Sequence, residues 1–206
     1  PQNPKTPCVE VREYLICGQM TVAFRNWTPS ENEFFAENEL IEIIPNFKGP
    51  KFTFMTGTFG PFKPSKPIQV PLWLAIYLKQ RKKCIVQIPN WMNVEFLNRV
   101  KLEDRESKET FSDCIPFYYF EMAHLLFTQC EDEFKELAKT KSVIEDIHEY
   151  RSEMLVNKLK KVEAETPIQF LSHVTSAELN KGRPSFSALY SVVNRLQTIS
   201  EAAQNE

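Results

Sequence analysis

The spacing of apolar residues changes once along the chain, at Pro71–Cys84 (PLWLAIYLKQRKKC), where seven apolar residues from Leu72 to Leu78 run directly into Lys79, Arg81, Lys82 and Lys83. A short apolar run fits a core strand as well as a helix, so the flanks must decide. Pro71 suits the first helical position, no turn residue separates the apolar from the basic run, and cations complement a helix C-terminus. The stretch is predicted as a helix with a basic end. Apolar side chains all round its first two turns place it inside a core, with Leu72, Trp73, Leu74 and Ile76 as its packed residues.

Before this helix the pattern is that of short strands and turns. Val9–Cys17 and Met20–Phe24 are strand-like pieces of a proline-containing segment covering residues 1–29. Ser30 is a candidate N-cap for a short acidic helix or extended turn carrying Glu31, Glu33, Phe34, Phe35, Glu37 and Leu40. Leu40–Ile44 is β-rich, and Lys51–Met55 alternates, with Phe52 and Phe54 on one face. Six of the 14 prolines and three of the five glycines (49, 57 and 60) fall from Pro45 to Pro71, the texture of a small, turn-dense β unit. Gly57 and Gly60 lack the spacing of a phosphate loop, and turn chemistry explains them better.

After Pro71 the pattern is helical. Cys84–Pro89 reads as an extended link, and Asn93 as the cap of a helix striped by Val94, Leu97 and Val100 that ends in the charged run KLEDRESKE, a solvated end. Pro116 is predicted to open a third helix, apolar enough (Phe117, Phe120, Leu125, Phe127) to belong in a core or a subunit interface. A long helix is predicted from Lys139 to Glu163, with Ile144, Ile147, Met154, Leu155, Leu159 and Val162 on one face. Thr166 and Pro167 stop it. Pro184 is predicted to open the last helix, with Phe186, Leu189, Tyr190, Val193 and Leu196 at helical spacing, before a frayed tail beyond Ser200. The expected fold class is α+β, mainly α. It divides into an extension of unassigned role (1–29), a small β-rich domain (30–66), a helical-bundle domain (67–200) and a polar tail (201–206).

Composition narrows the function more than the fold. With 206 residues, 42% of them apolar, the chain can build a packed core. Its 25 basic and 27 acidic residues argue against binding nucleic acid through the whole surface. Any such contact has to be local. Five cysteines (8, 17, 84, 114 and 130), odd in number and without a CxxC pair, point to neither a disulfide framework nor a zinc knuckle, and a reducing compartment is expected. No run approaches the ~20 apolar residues of a membrane span, and neither a membrane nor a secretory route is expected.

Catalytic patterns are missing. His124, His148 and His173 sit in different predicted segments, none with a metal-ligand spacing, and the neighbours of His148, Asp146 and Glu149, point to other helix faces. There is no GxSxG or HExxH, and Cys114 or Cys130 as a nucleophile would rest on residue type alone. Neither an enzyme nor a cofactor or metal site is expected. The basic residues Lys79, Arg81, Lys82 and Lys83 have two readings: contacts to an acidic partner or a phosphate backbone, or the solvated completion of a helix end. Aromatic residues for base stacking are not interleaved among them.

IIPNF (43–47), GPFKP (60–64), VPLWLAIYLKQRKKC (70–84), PNWMNVEFL (89–97) and ETFSDCIPFYYFEMAHLL (109–126) resemble, in order and spacing, the GINS family, its second PSF-type subunit in particular. Weaker similarity continues through IEDIHEYRSEML (144–155) and the final helix, so about residues 31–199 are covered and residues 1–29 are not. The resemblance implies a GINS-like fold, a small β domain before a helical domain. It implies a non-catalytic scaffold in a nuclear heterotetramer with three sister GINS subunits. That assembly joins the minichromosome maintenance hexamer and the Cdc-forty-five-type factor as the replicative helicase in initiation and elongation of DNA replication, with DNA met only through the complex. The rival reading from the residues is a stand-alone nucleic-acid-binding module using the basic helix end at 79–83.

Overall fold

The computed structural model describes residues 26–107, 111–160 and 172–204. The chain enters through helix α1 (Pro29–Ala36), capped by Thr28 rather than Ser30. Thr28 Oγ1 accepts from the Glu31 amide while Glu31 Oε2 accepts from the Thr28 amide at 2.7 Å, a reciprocal capping box with Pro29 at the first helical position. Trp27 belongs to the same folded unit, because its backbone N–H and C=O both bond the side-chain amide of Asn180 at 2.8 Å.

Strand β1 (Leu40–Pro45) is the middle of a three-stranded antiparallel sheet. Its alternation buries Ile41, Ile43 and Pro45, while Leu40 and Glu42 face outward. Chain order then gives a hairpin of β2 (Phe52–Phe54) and β3 (Gly57–Phe59), followed by β4 (Ile68–Pro71). Gly57 and Gly60 take φ of 149° and 114°, conformations open to glycine, consistent with turn chemistry. Helix α2 (Leu72–Gln80) leads from β4 into β5 (Cys84–Val86), and β4 and β5 flank β1 in the order β4-β1-β5. The extended link expected at 84–89 thus begins as a sheet strand, and the sheet crosses the division expected near residue 66.

The remaining helices are α3 (Val94–Glu106), α4 (Tyr119–Gln129), α5 (Leu137–Lys160) and α6 (Ser176–Gln204). Asn93 caps α3 through its side chain, as predicted. One apolar cluster joins Ile41, Ile43, Val70 and Val86 of the β unit to Leu72, Leu97, Val100, Tyr119, Leu126, Ile144 and Ile147 of the helices. The β unit therefore shares a core with the first helices.

Several predicted boundaries move. Pro71 ends β4 and caps α2 instead of starting it. Helix α4 begins at Tyr119, since Pro116 sits in a preceding turn whose carbonyl accepts from the Tyr119 amide at 3.1 Å. Pro184 lies inside α6, not at its start. The earlier start is fixed at Thr175, whose amide donates to Glu178 Oε2 at 2.9 Å and whose carbonyl accepts from Leu179. At the other end α6 continues past Ser200 to Gln204, through the good helix formers Ala202 and Ala203. The residues from 161 to 171 and the side chains of Leu159, Leu189, Tyr190, Val193 and Leu196 lie outside what is described, as do residues 1–25.

Candidate interaction surfaces

The central helix divides its side chains between core and surface. Leu72, Leu74 and Ala75 are buried, whereas Trp73 and Ile76 are half-buried and pack against the core from its edge. The Trp73 ring meets Phe54 of β2 edge-on at 5.1 Å between centroids, tying the hairpin to α2. Tyr77, one turn on, is exposed.

The four basic residues that follow meet different fates. Lys79 is drawn into an ion pair with Glu133, in the 3-10 turn after α4, and is mostly covered. Arg81 lies over the Tyr77 ring at 4.2 Å. Lys82 takes a left-handed φ of 57°. Its amide donates to Lys79 O at 2.8 Å and that of Lys83 to Leu78 O at 2.9 Å, the paired bonds of a Schellman helix end. Glycine is the usual residue at that left-handed position. Arg81, Lys82 and Lys83 therefore form an exposed turn into β5, not the continuing end of a helix.

The strongest electrostatic feature is one that the charge pattern concealed. Arg151 of α5 is fully buried. Its Nε donates to Glu178 Oε1 at 2.7 Å, Nη1 to Asp104 Oδ2 at 3.3 Å, and Nη2 to the His173 carbonyl at 2.7 Å. Both carboxylates are as buried as their partner, and each holds a backbone amide with its second oxygen, Ser112 for Asp104 and Thr175 for Glu178. Burial opposes the charge of Arg151, but Glu178 and then Asp104 outweigh it and hold its pKa above the ordinary value. The group joins α3, α5 and the start of α6. Its signal was in the sequence: Asp104 continues the stripe of Leu97 and Val100, and Arg151 that of Ile144 and Ile147. The surrounding charge run KLEDRESKE masks Asp104, because such a run reads as a solvated helix end.

Of the remaining candidates for chemistry, His148 and Cys130 are held by packing, as is Cys84, whereas Cys114 is exposed. His148 stacks on Phe120 at 4.1 Å and faces the Tyr119 hydroxyl at 3.5 Å, and burial lowers its pKa. Burial pushes the Cys84 and Cys130 thiols up to about 11, the condition of inert rather than nucleophilic cysteines. Among the described residues no group of His, Cys, Asp and Glu could hold a metal ion, and no helix is long and apolar enough to cross a membrane.

Large apolar side chains nevertheless remain uncovered. Phe34 is 64% exposed and Phe35 40% on α1, and Phe117 is 45% exposed before α4. These lie close to the start of α6, where Leu179 is also exposed. The Phe117 carbonyl accepts from the Ser176 amide, and Trp27 stacks on Phe35 at 4.7 Å while it grips Asn180. Leu102 on α3 and Val156 on α5 are exposed as well. Exposed aromatic residues grouped in this way mark contact surfaces.

A small antiparallel β unit joined by a shared core to a helical bundle is the architecture of GINS proteins, and the GINS complex helical bundle model matches residues 91–197. The PSF2 N-terminal domain model matches residues 28–88, and the chain belongs to the PSF2 family. It is 32% identical over 182 residues to the DNA replication complex GINS protein psf2 of Schizosaccharomyces pombe, covering 88% of this chain and 95% of that one. The probable PSF2 of Drosophila melanogaster is 30% identical over 179 residues, 86% of this chain and 88% of its own. The Homo sapiens PSF2 is 41% identical over 122 residues, 59% of this chain, and the match spans 65% of the human protein's length.

Proposed function

We propose that this chain is a non-catalytic scaffold subunit of a GINS heterotetramer. The observation that carries this reading is the exposed apolar group of Phe34, Phe35, Phe117 and Leu179 in a chain that belongs to the PSF2 family. Supporting it, the relatives this chain matches carry the name DNA replication complex GINS protein PSF2. Burying these side chains against three sister subunits removes apolar surface from water, worth about 25 cal/mol per Å² before the costs of association. In the same reading the β unit helps dock the tetramer onto the minichromosome maintenance hexamer and the Cdc-forty-five-type factor in the nucleus. The chain then acts by holding other proteins in place.

The test is co-expression with the three sister subunits, followed by size-exclusion chromatography with light scattering. A single species of one-to-one-to-one-to-one stoichiometry is expected, and aggregation or poor folding of the chain expressed alone. A monodisperse, stable monomer that ignores its sisters would count against the proposal.

A further inference from the structure

The basic residues of this chain are segregated. From Ile43 to Val94 there are eight Lys and Arg and no Asp or Glu, which leaves 17 of the 25 basic residues and all 27 acidic ones for the rest of the chain. The fold gathers that charge at one end of the sheet. Where the chain leaves β1, it is flanked on both sides. The Asn46 amide donates to Lys83 O at 2.8 Å, the Ser65 amide to Pro45 O at 3.1 Å, and Gly49 and Phe62 exchange two bonds of 3.0 Å. Three segments meet there, bringing Lys48, Lys63 and Lys66 beside Arg81, Lys82 and Lys83. All six are exposed. Among the described residues none has a carboxylate partner, in contrast to Lys79 with Glu133.

From this juxtaposition we infer that the β1 exit, the loop before β4 and the turn after α2 together form a site for the phosphodiester backbone of single-stranded nucleic acid, held without reading its sequence. Lysine is depleted in protein–protein interfaces, yet five of the six cations here are lysines. Point charges on flexible stems suit phosphate oxygens. Stacking surfaces, missing from the run 79–83 itself, come from β2. Its Phe52 is 41% exposed, packs at 5.7 Å on Phe62 beside Lys63, and directly follows Lys51. Because the rest of the chain is acidic, a polyanion is attracted to this end and repelled elsewhere. The site adds to the scaffold reading and does not depend on it.

The experiment is fluorescence anisotropy on the full chain purified with its GINS partners, using a labelled 30-mer of thymidine, a 30-base-pair duplex and a poly-glutamate peptide between 50 and 200 mM salt. With four to six phosphate contacts on a single strand, affinity for the 30-mer should fall roughly 50- to 300-fold across that range. Replacing Arg81, Lys82 and Lys83 with Gln should lower the log–log salt slope by about 2. So should the Gln variant of Lys48, Lys63 and Lys66, an independent check from two other loops should the first variant fold poorly. Unchanged affinity in both variants would overturn the site. Binding to the duplex as tight as to the 30-mer would overturn the single-strand assignment. Tighter binding of poly-glutamate, lost in the same variants, would reassign the surface to an acidic protein.

Discussion

Arg151 shows how a charge can be a core residue. Each of its three nitrogens donates to an acceptor, and its guanidinium lies 4.7 Å over the Phe111 ring, so the buried charge is compensated by two carboxylates, a carbonyl and a ring face. Such a group contributes little net stability compared with a well-packed apolar set, but it cannot lose one member without stranding the others. Arg151→Ala leaves Asp104 and Glu178 buried without their cation, and a destabilisation of about 3–5 kcal/mol is expected. Thermal unfolding of the co-purified complex checks this. An Arg151→Ala form that melts with the wild type would mean that the pair is far more hydrated than its geometry indicates.

At the scale of elements, the sequence revealed what depends on local pattern. The central apolar run, the alternation of β1 and β2, the Asn93 cap and the long amphipathic α5 all follow from neighbours within a turn or a strand. Strands β4 and β5 escaped because they are short and acquire meaning only by pairing with β1, 25 to 43 positions away in the chain. The basic residues were legible as a group, but their exposed turn was not, since it required a left-handed Lys82 where glycine is usual. Likewise Asp104 and Arg151 were visible on apolar stripes, while their partner Glu178 lies beyond a connector.

The start of α6 at Ser176 places Gly182 inside the helix. Gly182 is buried in that helix, and a Cβ there would meet Phe186 Cε2 at 2.6 Å and Leu155 Cδ2 at 3.4 Å. Phe186 in turn packs against Phe111, Met154 and Leu155. Helix propensity alone favours Gly182→Ala by ~1 kcal/mol, whereas forcing the ring out of place costs about 1–3 kcal/mol. The packing term should win, and the variant should melt below wild type in a calorimetric scan. A higher melting temperature would show that Phe186 can move freely.

Across the whole molecule, two surfaces of different chemistry stand apart. One groups exposed rings and Leu179 around α1, the turn before α4 and the start of α6; the other groups six cations at the end of the sheet. In the proposed function the first serves assembly with sister subunits, and the second is the surface inferred above to hold a polyanion. The core continuous from β unit to helices lets a single chain present both in a fixed relation.

The most direct measurement of the central claim is co-expression of a Phe34→Glu, Phe117→Glu, Leu179→Glu chain with the three sister subunits, read by light scattering on the eluted species. Three charges placed on a surface that must be buried should remove the chain from the complex, while the Gln variant of Arg81, Lys82 and Lys83 should still assemble one to one with each sister. A triple-Glu chain that assembles as completely as wild type would contradict the account, because the exposed apolar group would then not be the surface through which this subunit joins its partners.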